Sequence, residues 1–227
     1  MSVRIGVVLF PGSNCEQDVI EAVTALGAEA TLLWHGDDSV GDVDAVVVPG
    51  GFAHGDYLRP GAIARFSPVM SAVAKFAGDG GPVVGICNGF QVLTEAGLLP
   101  GALQKNGGLK FLCTTVEVRI ESTDSALTCA AVDGAVLRVP INHFEGNYTC
   151  SPDTLAELRA DDRIVLRYVT NPNGSLDDIA GICNAERNVV GLMPHPERAC
   201  NDLLGSSDGL GLVKSLLAAA GKITQIG

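Results

Sequence analysis

A cysteine set between two glycines, Gly85-Ile86-Cys87-Asn88-Gly89, is the stretch of this chain best suited to covalent chemistry. A nucleophile on a sharp strand-to-helix turn needs small neighbours two residues to either side, because the strained backbone brings strand and helix too close for side chains. An apolar run at 83–86 precedes Cys87 and a helix-like segment at 90–96 follows it. The N-terminus of such a helix favours the thiolate. The letters GICN recur at Cys183, but there Ala185 replaces the second glycine and a charged turn and another strand follow, the surroundings of a hairpin end. Cys15, in "PGSNCEQD", also joins a strand to a helix; it lacks the flanking glycines, and because Ser13 or Asn14 can cap that helix, capping is the first reading of the segment. Cys113, Cys129, Cys150 and Cys200 have no supporting context.

A thiol nucleophile needs a base, and the base needs a group that holds its ring. "GLMPHPER" sets His195 and Glu197 two residues apart just after a strand, flanked by Pro194 and Pro196. The prolines are expected to exclude helix and keep the segment extended, so that His195 and Glu197 face the same side. "NHFEG" offers the same spacing in His143 and Glu145 without the prolines and stands as a competitor. His54 lies on a glycine-rich loop and His35 in a polar turn, positions typical of surface histidines. The electrophile's oxygen would be met by backbone N–H groups at the Pro49-Gly50-Gly51 turn and at Asn88, just after the nucleophile. A dinucleotide fingerprint and a phosphate-binding P-loop are both absent from the sequence.

These groups need elements to position them. Short β-branched runs at 3–10, 30–34, 45–48 and 83–86 alternate with helix-like segments at 16–26, 62–77 and 90–96. Apolar runs without alternation predict strands covered on both faces, hence an α/β class with a parallel sheet and flanking helices. Val116, Val118 and Ile120 then alternate with Glu117 and Arg119, the period of a strand with one wetter face. Ser151 reads as an N-cap with Pro152 opening a helix through Leu158, "RIVLRYV" as a strand, and Asn171 to Ser175 as a turn. Residues 179–183 and 189–193 read as a hairpin, and 210–220 as a final helix.

The 227 residues, 47% hydrophobic, suit one domain with a sizeable core. Lys and Arg number 15 against 26 Asp and Glu, a formal charge of -11, which argues against nucleic acid as a partner. Seven cysteines without CxxC pairs suggest neither a disulfide framework nor a structural zinc site, and no metal is expected. The first apolar run stops at Phe10 and no later run reaches membrane-spanning length, so no membrane association and a cytoplasmic location are expected.

The motifs "PGGF", "GICNGFQ" and "MPHPE", in that order, resemble the class I glutamine amidotransferase family. More narrowly, "FPGSNC", "GDYLRPGAIA", "GICNGFQVLTEAGLLPGAL", "NPNGS", "IAGI" and "GLMPHPER" resemble its branch of glutaminase subunits of phosphoribosylformylglycinamidine synthase, with the match running to about Arg198. The resemblance implies one amidotransferase domain over 1–227, with an open mixed, mainly parallel sheet, helices on both faces and a flavodoxin-like architecture. It implies that Cys87 attacks the side-chain amide of glutamine, His195 moves the proton and Glu197 orients His195. Gly51 and Asn88 match oxyanion donors, Gln91 a glutamine-pocket residue, and Asn142 and Phe144 further lining. Ammonia is implied to pass to a separate synthetase subunit, assisted by a small bridging subunit; ATP and magnesium are expected only in that partner, with no cofactor in this chain. The chain departs from the family pattern at Ala53-His54, often Ser-Tyr, and at Phe144, often Gly. The rival readings are a class I glutaminase serving a different synthetase and a noncatalytic binding module on the same fold.

Overall fold

Ile5, Val7, Val8, Val46 to Val48, Val83 and Val84 are buried completely or nearly so, because the strands that carry them are covered on both faces. The computed structural model describes residues 2–223. In chain order these form β1 (Arg4–Leu9), α1 (Glu16–Ala25), β2 (Glu29–Trp34), β3 (Ala45–Val48), α2 (Pro68–Gly78), β4 (Val83–Ile86), α3 (Asn88–Glu95), β5 (Ala102–Gln104), β6 (Leu112–Ile120), β7 (Val136–His143), β8 (Asn147–Thr149), α4 (Pro152–Ala160), β9 (Ile164–Tyr168), β10 (Ile179–Cys183), β11 (Val189–Leu192) and α5 (Leu210–Ile223). Nine strands make one mixed sheet in the order β2-β1-β3-β4-β11-β10-β9-β6-β7, and β5 and β8 pair separately. The run β2-β1-β3-β4-β11 is parallel, and β10, β9, β6 and β7 extend it antiparallel.

The pleat of β4 sorts the helices onto the two faces. Val84 and Ile86 line a small cavity with Val19 and Val23 of α1 and Val213 and Leu216 of α5. Gly85, pointing the other way, lies against Gly89 and Leu93 of α3. The predicted helix at 62–77 begins only at Pro68. Residue 67, held extended at ψ 139° before the proline, cannot continue a helix, so Ala64–Phe66 remains a short 3-10 turn and Pro68 opens α2. The helix expected at 90–96 starts two residues earlier, directly after Cys87.

The alternation in β6 places Val116, Val118 and Ile120 inward, and Ser151 caps α4 by accepting the Thr154 N–H at 3.1 Å. β7 escaped the sequence reading because it carries Pro140, which is compatible with a strand at the sheet edge, where β7 lies. All seven cysteines are free. Among the described residues no helix is long and apolar enough to cross a membrane.

Candidate active site

Strand β4 ends and helix α3 begins within one residue, and that residue is Cys87. Its N–H donates to Leu192 O of β11 at 2.7 Å, so the strand's pairing continues to the last residue before the turn. Its backbone then takes φ 52° and ψ -105°, left-handed for a residue with a side chain, a conformation that costs about 1–3 kcal/mol. The two glycines make the path possible. A Cβ on Gly89 would stand 1.8 Å from Val48 O, and one on Gly85 2.6 Å from Gly89 O. The elbow anticipated from the GxCxG spacing is therefore required by backbone contacts on both sides.

The helix start is braced by side chains. Asn88 Oδ1 accepts the Ala53 N–H at 2.9 Å, while its Nδ2 donates to Asp56 Oδ1 at 3.2 Å and to Gln91 Oε1 at 2.9 Å. Gln91 Nε2 in turn donates to Glu145 O at 2.6 Å. Asn88 thus ties α3 to the loop at 53–56, and Gln91 holds Asn88 by one end of its amide and the loop at 144–146 by the other. Burial pushes the Asp56 carboxyl up to about 6; the Asn88 amide opposes this and Glu145 adds to it. The Cys87 thiol lies 3.7 Å from Asn142 O, which brings the end of β7 beside the nucleophile.

His195 is fully buried after β11, its N–H donating to Pro140 O of β7 at 2.9 Å. Its Nδ1 lies 2.7 Å from Glu197 Oε1. The segment is not extended as the prolines suggested: Pro196 opens a 3-10 turn over Pro196–Arg198, because a proline without an N–H suits the first position of a helical turn. The carboxylate reaches the ring by this turn. Burial opposes a charge on the imidazole, but the Glu197 carboxylate and the Cys87 and Cys15 thiols outweigh it and raise the pKa of His195 well above the ordinary value. With Nδ1–H given to Glu197, Nε2 is left for a reacting group and makes no hydrogen bond of its own.

The competitor fails on contacts. Asn106 uses its Nδ2 to donate to Lys110 O and His143 O, so its Oδ1 accepts, from His143 Nδ1–H at 3.1 Å and from Gly146 N–H at 3.1 Å. No hydrogen bond or ion pair joins His143 to the Glu145 carboxylate among the described residues. Burial, with His195 nearby, pushes the His143 pKa down to about 4, so its ring is neutral near pH 7.

Gly51 lies at φ 147° in a bridge to Ser13 whose hydrogen bonds are made by the flanking residues, Phe52 N–H to Gly12 O at 2.8 Å and Asn14 N–H to Gly50 O at 3.2 Å. Its own N–H is outside that pairing. The Asn88 N–H, in the first turn of α3, likewise has no partner within the helix. Gly51 and Asn88 follow the carboxyl ends of β3 and β4, which are neighbouring parallel strands.

Cys15 is where sequence reasoning fell short. Neither Ser13 nor Asn14 caps α1: Ser13 Oγ accepts the Phe10 N–H at 3.0 Å, Cys15 itself holds the N-cap position, and no side chain makes a capping bond. The Cys15 thiol is buried beside His195 and Glu197, with ligand atoms of the three within 4.8 Å of one another. Gly50 makes room for them: a Cβ there would lie 2.7 Å from His195 Cε1 and 3.2 Å from Cys15 Sγ. The available signal was topological, since 10–15 follows the carboxyl end of an interior parallel strand, the end at which open α/β sheets build their sites. Cys183 is the last residue of β10, fully buried, its thiol pushed up to about 11 by burial.

Of the remaining expected positions, Asn142 lines a cavity and Phe144 does not. A cavity of about 300 Å³ lined by Asp18, Cys113, Thr115, Asn142 and Arg198 opens beside the Cys87 contact on Asn142. Phe144 is half-buried under the Lys105 ammonium. His54, at φ 53°, packs its ring 5.1 Å from that of His35, and its Nε2 lies 3.3 Å from Ser67 Oγ. The "NPNGS" turn also supports the site, because Asn173 Nδ2 donates to Gly146 O at 2.8 Å and holds the loop after β7.

Residues 2–207 match the CobB/CobQ-like glutamine amidotransferase domain family. The phosphoribosylformylglycinamidine synthase subunit PurQ of Rubrobacter xylanophilus is 58% identical over 96% of this chain and 99% of its own length. That of Koribacter versatilis is 55% identical over 96% and 99%. In the structure of PurLQS from Thermotoga maritima, one chain superimposes with a TM-score of 0.89 at 43% identity, covering 96% of this chain and 99% of that one. A putative GMP synthase protein from Thermoplasma acidophilum, at 17% identity and a TM-score of 0.68 over 100% of this chain and 98% of its own, shares the fold.

Proposed function

Because the chain belongs to the CobB/CobQ-like glutamine amidotransferase family, we propose that it is the glutaminase subunit of a phosphoribosylformylglycinamidine synthase. The observation that carries the reading is the strained Cys87 elbow set against the buried His195–Glu197 pair. The Cys87 thiol gives its proton to His195 Nε2, and its sulfur attacks the side-chain amide carbon of glutamine. The Gly51 and Asn88 N–H groups receive the oxyanion. Glu197 keeps the proton on Nδ1, so that Nε2 faces the thiol as acceptor and then returns the proton to the leaving nitrogen. Ammonia departs, and water hydrolyses the glutamyl thioester to glutamate and free Cys87.

Gln91 serves the glutamine pocket by fixing its walls, since both ends of its amide are engaged with Asn88 and Glu145. Asn142 contributes from the neighbouring cavity, and Phe144 from two residues further along the same segment. These steps use side chains and backbone alone, so no cofactor is needed in this chain; ATP and magnesium act in the synthetase partner, which uses the ammonia to convert formylglycinamide ribonucleotide to its amidine. Exposed Tyr57, Leu58 and Phe66, close in sequence to the elbow's brace at Ala53 and Asp56, offer apolar surface for the partner subunits. Seven free thiols suit a reducing cytoplasm.

A diazo-ketone analogue of glutamine, followed by peptide mapping with partner subunits present, tests this reading. Labelling confined to Cys87 and suppressed by glutamine is expected. Labelling at another cysteine would reassign the nucleophile, and none at all would favour a noncatalytic module. A glutaminase serving a different synthetase would label at Cys87 yet fail to support amidine synthesis with the formylglycinamide ribonucleotide partner.

A further inference from the structure

The mechanism leaves one buried thiol at its centre, that of Cys15, without a covalent or proton-transfer step. Cys15 Sγ, a His195 ring nitrogen and a Glu197 carboxylate oxygen lie within 4.8 Å of one another, and all three residues are more than nine-tenths buried. Glu197 Oε2 has no hydrogen-bond partner. Among the described residues no other group of three or more cysteine, histidine or acidic side chains gathers its ligand atoms so closely.

Thiolate, imidazole and carboxylate together form the donor set of a borderline-soft cation, and three protein ligands with an open fourth position suit zinc. At zinc bond lengths of about 2.0–2.3 Å, tetrahedral ligand atoms stand roughly 3.3–3.6 Å apart. The His195–Glu197 separation of 2.7 Å would have to widen by a few tenths of an ångström as the cation replaced the shared proton, and the Cys15 thiol would draw inward. Binding releases the thiol proton of Cys15 and the Nδ1 proton of His195. The resulting thiolate and carboxylate balance a divalent charge, which makes occupation of this buried place electrostatically favourable.

We propose that Cys15, His195 and Glu197 form a site for one thiophilic divalent cation of the zinc class, and that filling it switches glutamine hydrolysis off. The switching half rests on the glutaminase reading, because an imidazole held by a metal can no longer keep a proton on Nδ1 or turn freely toward Cys87. The binding half does not.

Titration of the full chain with cadmium, followed by thiolate-to-metal charge-transfer absorption, reads the site directly. One equivalent is expected in the wild type and in Cys87→Ser, whereas Cys15→Ser and Glu197→Gln should each lose at least about tenfold in affinity. In the unaltered protein, zinc should slow alkylation of Cys15 in peptide maps while leaving exposed Cys113 unprotected. With partner subunits, zinc inhibition should be reversed by a chelator, and Cys15→Ser should hydrolyse glutamine with its zinc sensitivity lost. An absorption band unchanged in Cys15→Ser, absent from the wild type, or lost in Cys87→Ser would overturn the site, the last by placing the metal at the nucleophile. Zinc sensitivity unchanged in Cys15→Ser would overturn the switch. If the wild type hydrolysed no glutamine at all, the glutaminase reading would fall while cadmium still decided the site.

Discussion

Cys87 and Cys183 share the letters GICN and lie at the ends of β4 and β10, strands separated in the sheet only by β11. At Cys87 the backbone turns to φ 52° and a helix follows. At Cys183 the strand continues, its N–H donating to Arg163 O at 2.9 Å, and Asn184 then closes the hairpin by accepting the Val189 N–H at 2.9 Å. Burial pushes the Cys183 thiol up to about 11, whereas the elbow sets the Cys87 thiol 3.7 Å from Asn142 O. Identical letters therefore take different conformations, and the deciding residue is the next one: Gly89, which lets α3 touch Val48 O, against Ala185, exposed in the hairpin turn.

The largest expected effect separates the two cysteines outright. Cys87→Ala should lower glutamine-dependent synthesis by about 10⁴-fold or more while synthesis from added ammonia survives in the assembled complex. Cys183→Ala should leave both activities within about twofold and cost about 1–2 kcal/mol of stability through the cavity it opens. Equal loss of glutamine-dependent activity in the two variants would break the contrast. Next, Glu197→Gln should reduce hydrolysis by roughly 10²–10⁴-fold by disturbing the ring proton, whereas His143→Ala should act mainly on stability, through the Asn106 bond it removes. A kinetic loss at His143 as large as that at Glu197 would reopen the choice of base.

The third test leaves the nucleophile in place and attacks its backbone. Gly89→Ala should cost on the order of 3–5 kcal/mol, since 1.8 Å from a carbonyl oxygen leaves no room without moving α3; Ala185→Gly should change thermal stability by less than about 1 kcal/mol. Thermal unfolding of the two proteins side by side decides it. The smallest effect concerns the brace. Because burial raises the folded-state pKa of Asp56 to about 6, its contribution to stability is fully present below the ordinary value of 3.8 and is lost as pH rises through about 6. Asp56→Asn should remove that dependence, and after allowance for solvent screening should stabilise the protein by about 1 kcal/mol at neutral pH. Parallel melting curves for variant and wild type from pH 4 to 8 would contradict this.

The sequence made the elbow legible because steric demand at a tight turn leaves a mark in residue size. Gly85 and Gly89 are recognisable as necessary from their spacing around Cys87, and so is the partnership of His195 with Glu197. The route between those two was misjudged, since Pro196 forbids helix only when an N–H is needed and it sits here at the first position of a turn, where none is. The closeness of Cys15 to His195 was missed for a different reason. It is made by two parallel strands meeting at one sheet end, and no local pattern records contact across 180 residues. β7 was hidden by Pro140, tolerated at the edge, although the carbonyls of Pro140 and Asn142 on that strand receive the His195 N–H and the Cys87 thiol.

The elbow's close contacts divide labour between backbone and side chain. Gly89 against Val48 O and Gly85 against Gly89 O fix where residue 87 stands without any involvement of its sulfur. The scaffold thus supplies an address and is indifferent to the atom delivered there. An engineered hydroxyl or selenol at that address would meet the same imidazole and the same two N–H groups, which makes this turn a fixed socket for comparing nucleophiles in one protein.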